Sequence, residues 1–194
     1  MIEAVGITPF DVSETEIDGL YVLTAKQVED ERGTVREFYR ESAFRDAGLA
    51  SLGPWVQVNM TWTRHGAVRG LHGEHVSKLV GLAAGEALGA YVDARPGSPS
   101  WGKVVTLDLR VGTQVLVPVG VCNGFQSVSR DGTQYLYCFD VEWTPGMTGV
   151  AVNAFDRALG IPWPVEVDRS DRSLLSERDA ALPSFDEAFG QLKP

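Results

Sequence analysis

An all-β sandwich or barrel is the fold class this sequence predicts, and two observations predict it. Short stretches rich in β-branched and aromatic residues recur along the chain, and glycine, proline or Asp-Gly interrupts them roughly every eight to twelve residues. That even spacing argues against alternating α and β segments. In chain order the strand-like stretches are Leu20–Val28, Val35–Tyr39, Trp55–Thr63, Leu79–Ala83, Leu88–Ala94, Lys103–Leu109, Gln114–Pro118 and Gln134–Trp143. Between them, Ser42–Gly48 reads as a single short helix, with Ser42 as its cap and Gly48 as its stop. Asp131-Gly132, between two strand-like runs, reads as a hairpin turn. After Pro164 the chain becomes charged and rich in turns, with helical turns expected near Ser176–Ala181 and Ser184–Phe189. The reading is one domain over residues 1–194, with a C-terminal surface wrap from about 165.

The 194 residues are 44% hydrophobic and 22% charged, an ordinary balance for a chain with one well-buried core. A formal net charge of −9 argues against nucleic acid or an anionic membrane as the main partner, yet leaves room for cations clustered in a cleft. Only Cys122 and Cys138 are present, so no disulfide framework is expected. No leader pattern and no apolar run of about 18 residues is found, and the expectation is a cytoplasmic protein. Five Trp and eight Phe exceed what a small sandwich core needs, which points to aromatics in a cleft or a subunit interface.

Chemistry concentrates in AVRGLHGEHVSK, residues 67–78, where Arg69, His72 and Lys78 sit among glycines. An imidazole titrates nearest neutral pH and serves there as a base. Two cations beside it suit a phosphate, or the oxyanion formed when a proton leaves carbon next to a carbonyl. The pattern points to proton abstraction from an anionic keto substrate. His72 and His75 are three apart and would not share a strand face, so no metal site is expected from them.

GTQVLVPVGVCN, residues 112–123, runs strand, Pro-x-Gly turn, strand, and resembles the second cupin motif in each fixed position except the last. There a metal-binding cupin carries histidine, and this chain has Asn123. The resemblance implies a cupin-like jelly-roll β-sandwich with short flanking helices, working through side chains with no metal and no cofactor. It becomes specific in DERGTVREFYR at 30–40, VQVN at 56–59, GAVRGLH at 66–72, SKLV at 77–80 and VDARPGSPSWGK at 92–103. PVGVCNGF at 118–125, AFDRALGIPWP at 154–164 and LSERDAALPSF at 175–185 continue it. In this order the segments resemble the dTDP-4-dehydrorhamnose 3,5-epimerase family of nucleotide-sugar epimerases.

The resemblance implies His72 as the base that removes the proton α to a 4-keto group, and Asp156 as the carboxylate paired with it. It further implies Lys78 as the cation that stabilises the enolate, with Arg69 beside it. Arg32, Glu37 and Phe38 fall in the segment that holds diphosphate and base, and Gln57 and Asn59 match polar residues at the sugar end. Taken alone, Asp156 is a turn residue, Lys78 and Arg32 solvated charges, and Gln57 and Asn59 outward residues of a strand. Three departures stand out. Trp143 occupies the position at which the resemblance implies the tyrosine acid, Asn123 replaces a second histidine, and the loop from His72 to Lys78 is short. An indole N–H does not supply a proton in this pH range, so the expectation is a divergent epimerase that inverts a single centre or acts on a different sugar; if both centres are inverted, Tyr137 is the first candidate for the acid. A nucleoside-diphosphate keto sugar is the expected ligand, and a homodimer pairing through Leu20–Tyr39 the expected assembly. A sugar 3,4-ketoisomerase and a catalytically silent sugar-nucleotide-binding homologue are the alternatives.

Overall fold

Two antiparallel sheets lie face to face, and alternate side chains of both fill the space between them. The computed structural model describes residues 6–49 and 54–190. Its strands are β1 (Gly6–Thr8), β2 (Asp11–Glu14), β3 (Tyr21–Thr24), β4 (Gln27–Asp30), β5 (Gly33–Arg36), β6 (Gln57–Thr63) and β7 (Val68–Glu74). They continue as β8 (Lys78–Ala84), β9 (Glu86–Asp93), β10 (Val104–Arg110), β11 (Thr113–Val117), β12 (Val121–Ser127), β13 (Thr133–Phe139) and β14 (Gly149–Ala151). The helices are α1 (Glu41–Asp46), α2 (Glu177–Ala180) and α3 (Phe185–Phe189). One sheet runs β2-β3-β11-β8-β13-β6, the other β10-β9-β12-β7-β14, and a small third sheet runs β1-β4-β5. The all-β sandwich is what the residue pattern predicts, and the jelly roll with short flanking helices is what the resemblance implies. No helix among the described residues is long and apolar enough to cross a membrane.

Three apolar layers follow from the alternation of side chains along the strands. Val80, Leu82, Val115, Val117 and Tyr135 of the six-stranded sheet meet Ala87, Tyr91, Leu109, Val121 and Phe125 of the five-stranded sheet in the interior. On the outer face of the five-stranded sheet, Leu71, Ala90, Val92 and Cys122 pack under Leu159, Leu175 and Phe189 of the C-terminal segment. That segment is therefore a third layer with its own buried residues, more than a surface wrap. On the outer face of the six-stranded sheet, Leu23, Leu79, Leu116 and Cys138 are covered by Phe44 of α1 and by Leu49.

Several local expectations are corrected. Leu20–Val28 is two strands, β3 and β4, because the chain leaves the six-stranded sheet at buried Ala25, whose N–H donates to the Gly112 carbonyl at 2.8 Å. Asp131-Gly132 does form a turn, but β12 and β13 on either side belong to different sheets, so it carries the chain across the sandwich and closes no hairpin. The strand beginning near Gln134 ends at Phe139, short of Trp143. Helix α1 is capped at Arg40 without a side-chain hydrogen bond, and Ser42 lies inside it. Pairing of Leu20–Tyr39 with a partner sheet cannot involve β3, which already sits between β2 and β11.

The DARPGSPS run at 93–100 proves to be architecture. Asp93 is fully buried at the end of β9 and accepts from Arg95 Nε at 2.9 Å, Arg95 Nη2 at 2.8 Å, Ser98 Oγ at 2.6 Å and Ser100 Oγ at 2.6 Å. Arg95 Nη2 also donates to the Asp18 carbonyl at 2.6 Å, and the Asp18 N–H donates to Ser100 Oγ at 2.9 Å. This network ties the β9–β10 turn of one sheet to the β2–β3 loop of the other. Burial by itself would push the Asp93 carboxyl up, but the Arg95, Ser100 and Ser98 hydrogen bonds outweigh it and bring it down to about 2.

A carboxyl held below its ordinary value of 3.8 contributes stability that is complete above that pH and is lost as pH falls toward 2. Its share is on the order of 2 kcal/mol. Asp93→Asn leaves a partly buried guanidinium without its counter-charge and is expected to cost about 2–4 kcal/mol by urea denaturation at pH 7. The wild-type advantage over this variant should shrink below pH 4. A loss under about 1 kcal/mol at neutral pH would show that the network is dispensable.

Candidate active site

One extra residue in β7 builds the site. Opposite β12, His72 pairs with Asn123 and Arg69 with Phe125, so three steps along β7 match two along β12. In a regular strand residues three apart face opposite sides. The bulge restores Arg69 and His72 to the same side, and both line one cavity of about 480 Å³ between the sheets. Gly70 makes the bulge possible. Its φ is +115°, and a Cβ there would lie 2.7 Å from Gly124 Cα and 2.8 Å from the Asn123 carbonyl oxygen.

His72 meets a carboxylate, and the carboxylate is Asp179. His72 Nε2 lies 2.8 Å from Asp179 Oδ1, and the Gly70 N–H donates to Asp179 Oδ2 at 3.4 Å. Asp179 stands on α2, where Ser176 caps the helix by accepting from the Asp179 N–H at 3.0 Å. Burial would push the Asp179 carboxyl up, but the hydrogen bond and charge of His72 together with the Gly70 N–H hold it below its ordinary value. An ionised carboxylate only accepts, so Nε2 carries the ring proton and Nδ1 is the basic nitrogen.

Asp156, expected as the partner of the imidazole, is engaged elsewhere. It caps the turn Arg157–Leu159, accepting from the Ala158 N–H at 2.9 Å through Oδ1 and from the Phe185 N–H at 2.7 Å through Oδ2. Both oxygens are thus spent on holding two backbone segments of the C-terminal layer together. Reading Asp156 as a turn residue is the correct one. Asp179 lay unremarked inside LSERDAALPSF. The available signal was Ser176, three residues ahead of a carboxylate in a cap pattern, which fixes where that carboxylate sits.

Lys78 starts β8, directly after a short turn pinned by the Ser77 N–H on Asp140 Oδ1 at 2.8 Å. Its ammonium is almost wholly buried and donates to Glu74 Oε2 at 2.5 Å, Asn123 Oδ1 at 2.7 Å and the His72 carbonyl at 3.2 Å. Arg69 donates from Nε to Thr63 Oγ1 at 2.9 Å. On the wall formed by β13, Tyr137 faces the cavity with its hydroxyl 2.9 Å from Thr61 Oγ1. Tyr135 lies deeper, stacked on Phe125 at 4.0 Å between ring centroids, and burial drives its phenol far above the ordinary value.

The cavity gathers His72, Lys78, Arg69, Asn123 and Tyr137 and leaves the other sequence-derived residues outside its lining. Gln57 and Asn59 are joined by a 3.2 Å hydrogen bond on β6, and the Trp143 N–H donates to Gln57 Oε1 at 2.7 Å. Because β6 also carries Thr61, which holds the Tyr137 hydroxyl, these three continue the wall of the cavity as a shelf. Trp143 is absent from the cavity lining. Arg32 is at the β4–β5 turn, paired with Asp30 at 2.7 Å, and Glu37 pairs with Arg40. Phe38 packs on the outer face of the six-stranded sheet, its carbonyl accepting from Gln114 Nε2 at 2.6 Å. Among the described residues no three His, Cys, Asp or Glu side chains gather as metal ligands.

Comparison with known proteins matches residues 14–187 to the family model for dTDP-4-dehydrorhamnose 3,5-epimerase. The dTDP-4-dehydrorhamnose 3,5-epimerase of Salmonella typhimurium is 33% identical over 184 residues, 92% of this chain and 97% of that one. The dTDP-4-dehydro-6-deoxyglucose 3-epimerase of Streptomyces bikiniensis is 32% identical over 162 residues, 80% of this chain and 79% of that one. The crystal structure of dTDP-6-deoxy-D-glucose-3,5-epimerase from Legionella pneumophila in complex with dTDP-4-keto-L-rhamnose superposes with a TM-score of 0.83 at 28% identity, covering 96% of this chain and 98% of that one.

Gly70→Ala places a Cβ against two stretches of backbone at a φ that L side chains rarely adopt. The expected cost is about 1–3 kcal/mol in urea denaturation, with the Gly70 N–H displaced from Asp179. An alanine variant as stable as wild type would mean that the bulge tolerates ordinary residues.

Proposed function

The chain belongs to the dTDP-4-dehydrorhamnose 3,5-epimerase family, and from that membership we propose that it is a metal-independent nucleotide-sugar epimerase. Its substrate in this reading is a nucleoside-diphospho-4-keto-6-deoxy sugar, inverted at C3, C5 or both through an enolate. The observation that carries it is one cavity with His72, backed by Asp179, on one sheet and Tyr137 on the other. His72 Nδ1 takes the proton from the carbon next to the keto group. The electron pair moves onto the keto oxygen, where the Lys78 ammonium, steadied by Asn123, stabilises the enolate. A base working alone returns the proton to the face it came from. Inversion needs an acid on the far side, and Tyr137 supplies it. Tyr135 is the poorer acid, since burial raises its phenol.

This assignment removes the reason for expecting a single-centre enzyme. Trp143 is separate from the acid's position, so the exchange of tyrosine for tryptophan there leaves both faces of the enolate served. Trp143, Gln57 and Asn59 instead form a polar shelf with an aromatic end beside the sugar cavity, suited to a nucleoside. Arg69 at the mouth suits the diphosphate.

A homodimer belongs to the same proposal. On edge strand β6, Val58, Met60 and Trp62 are 59%, 61% and 54% exposed and form one apolar stripe. The β1-β4-β5 sheet presents exposed Ile7 and Val35, and Arg32 and Glu37 stand on or beside it, outside their own chain's cavity. A second copy seated on β6 covers an open sheet edge and brings such a basic turn toward a nucleotide shelf.

Activity is read by NMR in D₂O with dTDP-4-keto-6-deoxyglucose, following deuterium and configuration at C3 and C5. His72→Asn and Asp179→Asn are expected to slow exchange on the order of 10²–10⁴-fold, while Asp156→Asn stays within a few-fold of wild type once folded. Tyr137→Phe should keep exchange and lose inversion. Undiminished exchange in His72→Asn, or undiminished inversion in Tyr137→Phe, contradicts the mechanism.

Light scattering should give twice the 21.1 kDa of one chain, and Met60→Glu should lower the mass toward one chain. A wild-type monomer at micromolar concentration overturns the dimer.

A further inference from the structure

Two carboxylates line the cavity among the described residues, and the mechanism employs only Asp179. Glu74, two residues beyond His72 on the same side of β7, is the other. It is no surface charge, since its side chain is 20% exposed and one oxygen is 2.5 Å from the Lys78 ammonium. Burial would push the Glu74 carboxyl up, but Lys78 outweighs it and holds the group below its ordinary value. Glu74 is therefore an ionised acceptor fixed beside the donor that meets the keto oxygen.

An ammonium has three donors, and all three of Lys78 are in use. The contact to the His72 carbonyl, at 3.2 Å, is the longest. A keto oxygen that takes over this contact lies next to Glu74. We propose that Glu74 is a specificity-determining residue that accepts a hydrogen bond from a hydroxyl on the carbon beside the keto group, so that Glu74 and Lys78 together read an α-hydroxy ketone. In a 4-keto-6-deoxy sugar C5 carries the methyl group and the ring oxygen, so the hydroxyl so read is that of C3. This rests on the reading that Lys78 holds the keto oxygen. The chemistry is complementary: donor beside acceptor on the protein, acceptor beside donor on neighbouring carbons of the sugar. A charged acceptor left facing a carbon that lacks its hydroxyl loses solvent and gains no partner, which disfavours the deoxy analogue.

The test is calorimetric binding of dTDP-4-keto-6-deoxyglucose and its 3-deoxy analogue to wild type and Glu74→Ala, with deuterium exchange followed in parallel. Wild type should prefer the 3-hydroxyl sugar by at least about tenfold, and Glu74→Ala should bind the two within about twofold. If Glu74→Ala does not fold, Glu74→Gln should reduce the preference at least about threefold. An equal preference in wild type and variant, or a uniform loss on both sugars, overturns the proposal. Discrimination that depends on Glu74 in a protein that exchanges no deuterium would contradict the epimerase reading and uphold Glu74. Exchange without discrimination does the reverse.

Discussion

A single extra residue in β7, accommodated where Gly70 meets Gly124, is the constraint on which the site depends. Without it, strand alternation would turn Arg69 or His72 into an apolar layer. With it, both enter the cavity between the sheets, and the Gly70 N–H points at the carboxylate that holds the imidazole. Close packing of two glycines thus decides a proton's location several ångströms away. Bulges that re-aim a side chain are a recurrent device beside reacting centres.

The second element is the C-terminal layer. Leu159, Leu175 and Phe189 bury it on the outer face of the five-stranded sheet, and Asp156 and Ser176 fix its turns through backbone N–H groups. That fixing places Asp179 against His72. An acidic chain of net charge −9 also manages its few cavity cations locally. Lys78 has an anion and an amide as partners, and its charge is buried with its donors satisfied. A keto sugar entering the cavity meets a donor and an acceptor already held in place, which lowers the ordering cost of binding.

Much of this was legible in the residues. Turn residues separating short β-rich runs gave the sandwich, and Ser176 and Ser184 marked the starts of α2 and α3. His72, Lys78, Arg69 and Asn123 were named from their motif and do line one cavity. The missing parts have physical reasons. Val68–Glu74 is missing from the strand-like stretches because Gly70 and Gly73 hide a strand that carries the bulge. Asp156 was matched to the imidazole's partner and Asp179 went unremarked, because a carboxylate at a turn and one at a helix start look alike until the C-terminal layer docks. Trp143 was matched to the tyrosine's position by its spacing from a proline, but β13 ends at Phe139, and no local pattern shows where the following residues lie. Glu74 was overlooked because its neighbour Lys78 is four residues away across a turn.

The central claim is that Asp179 keeps the ring proton of His72 on Nε2 and leaves Nδ1 basic toward the cavity. Nitrogen-15 NMR of the histidine rings tests it most directly, because the two nitrogens of a neutral imidazole differ widely in shift according to which one is protonated. At a pH where the ring is neutral, the account predicts that His72 is the Nε2–H tautomer. Asp179→Asn should disturb this signal, and Asp156→Asn should leave it in place. A proton found on Nδ1, or a His72 signal that answers to Asp156 and ignores Asp179, would contradict the account.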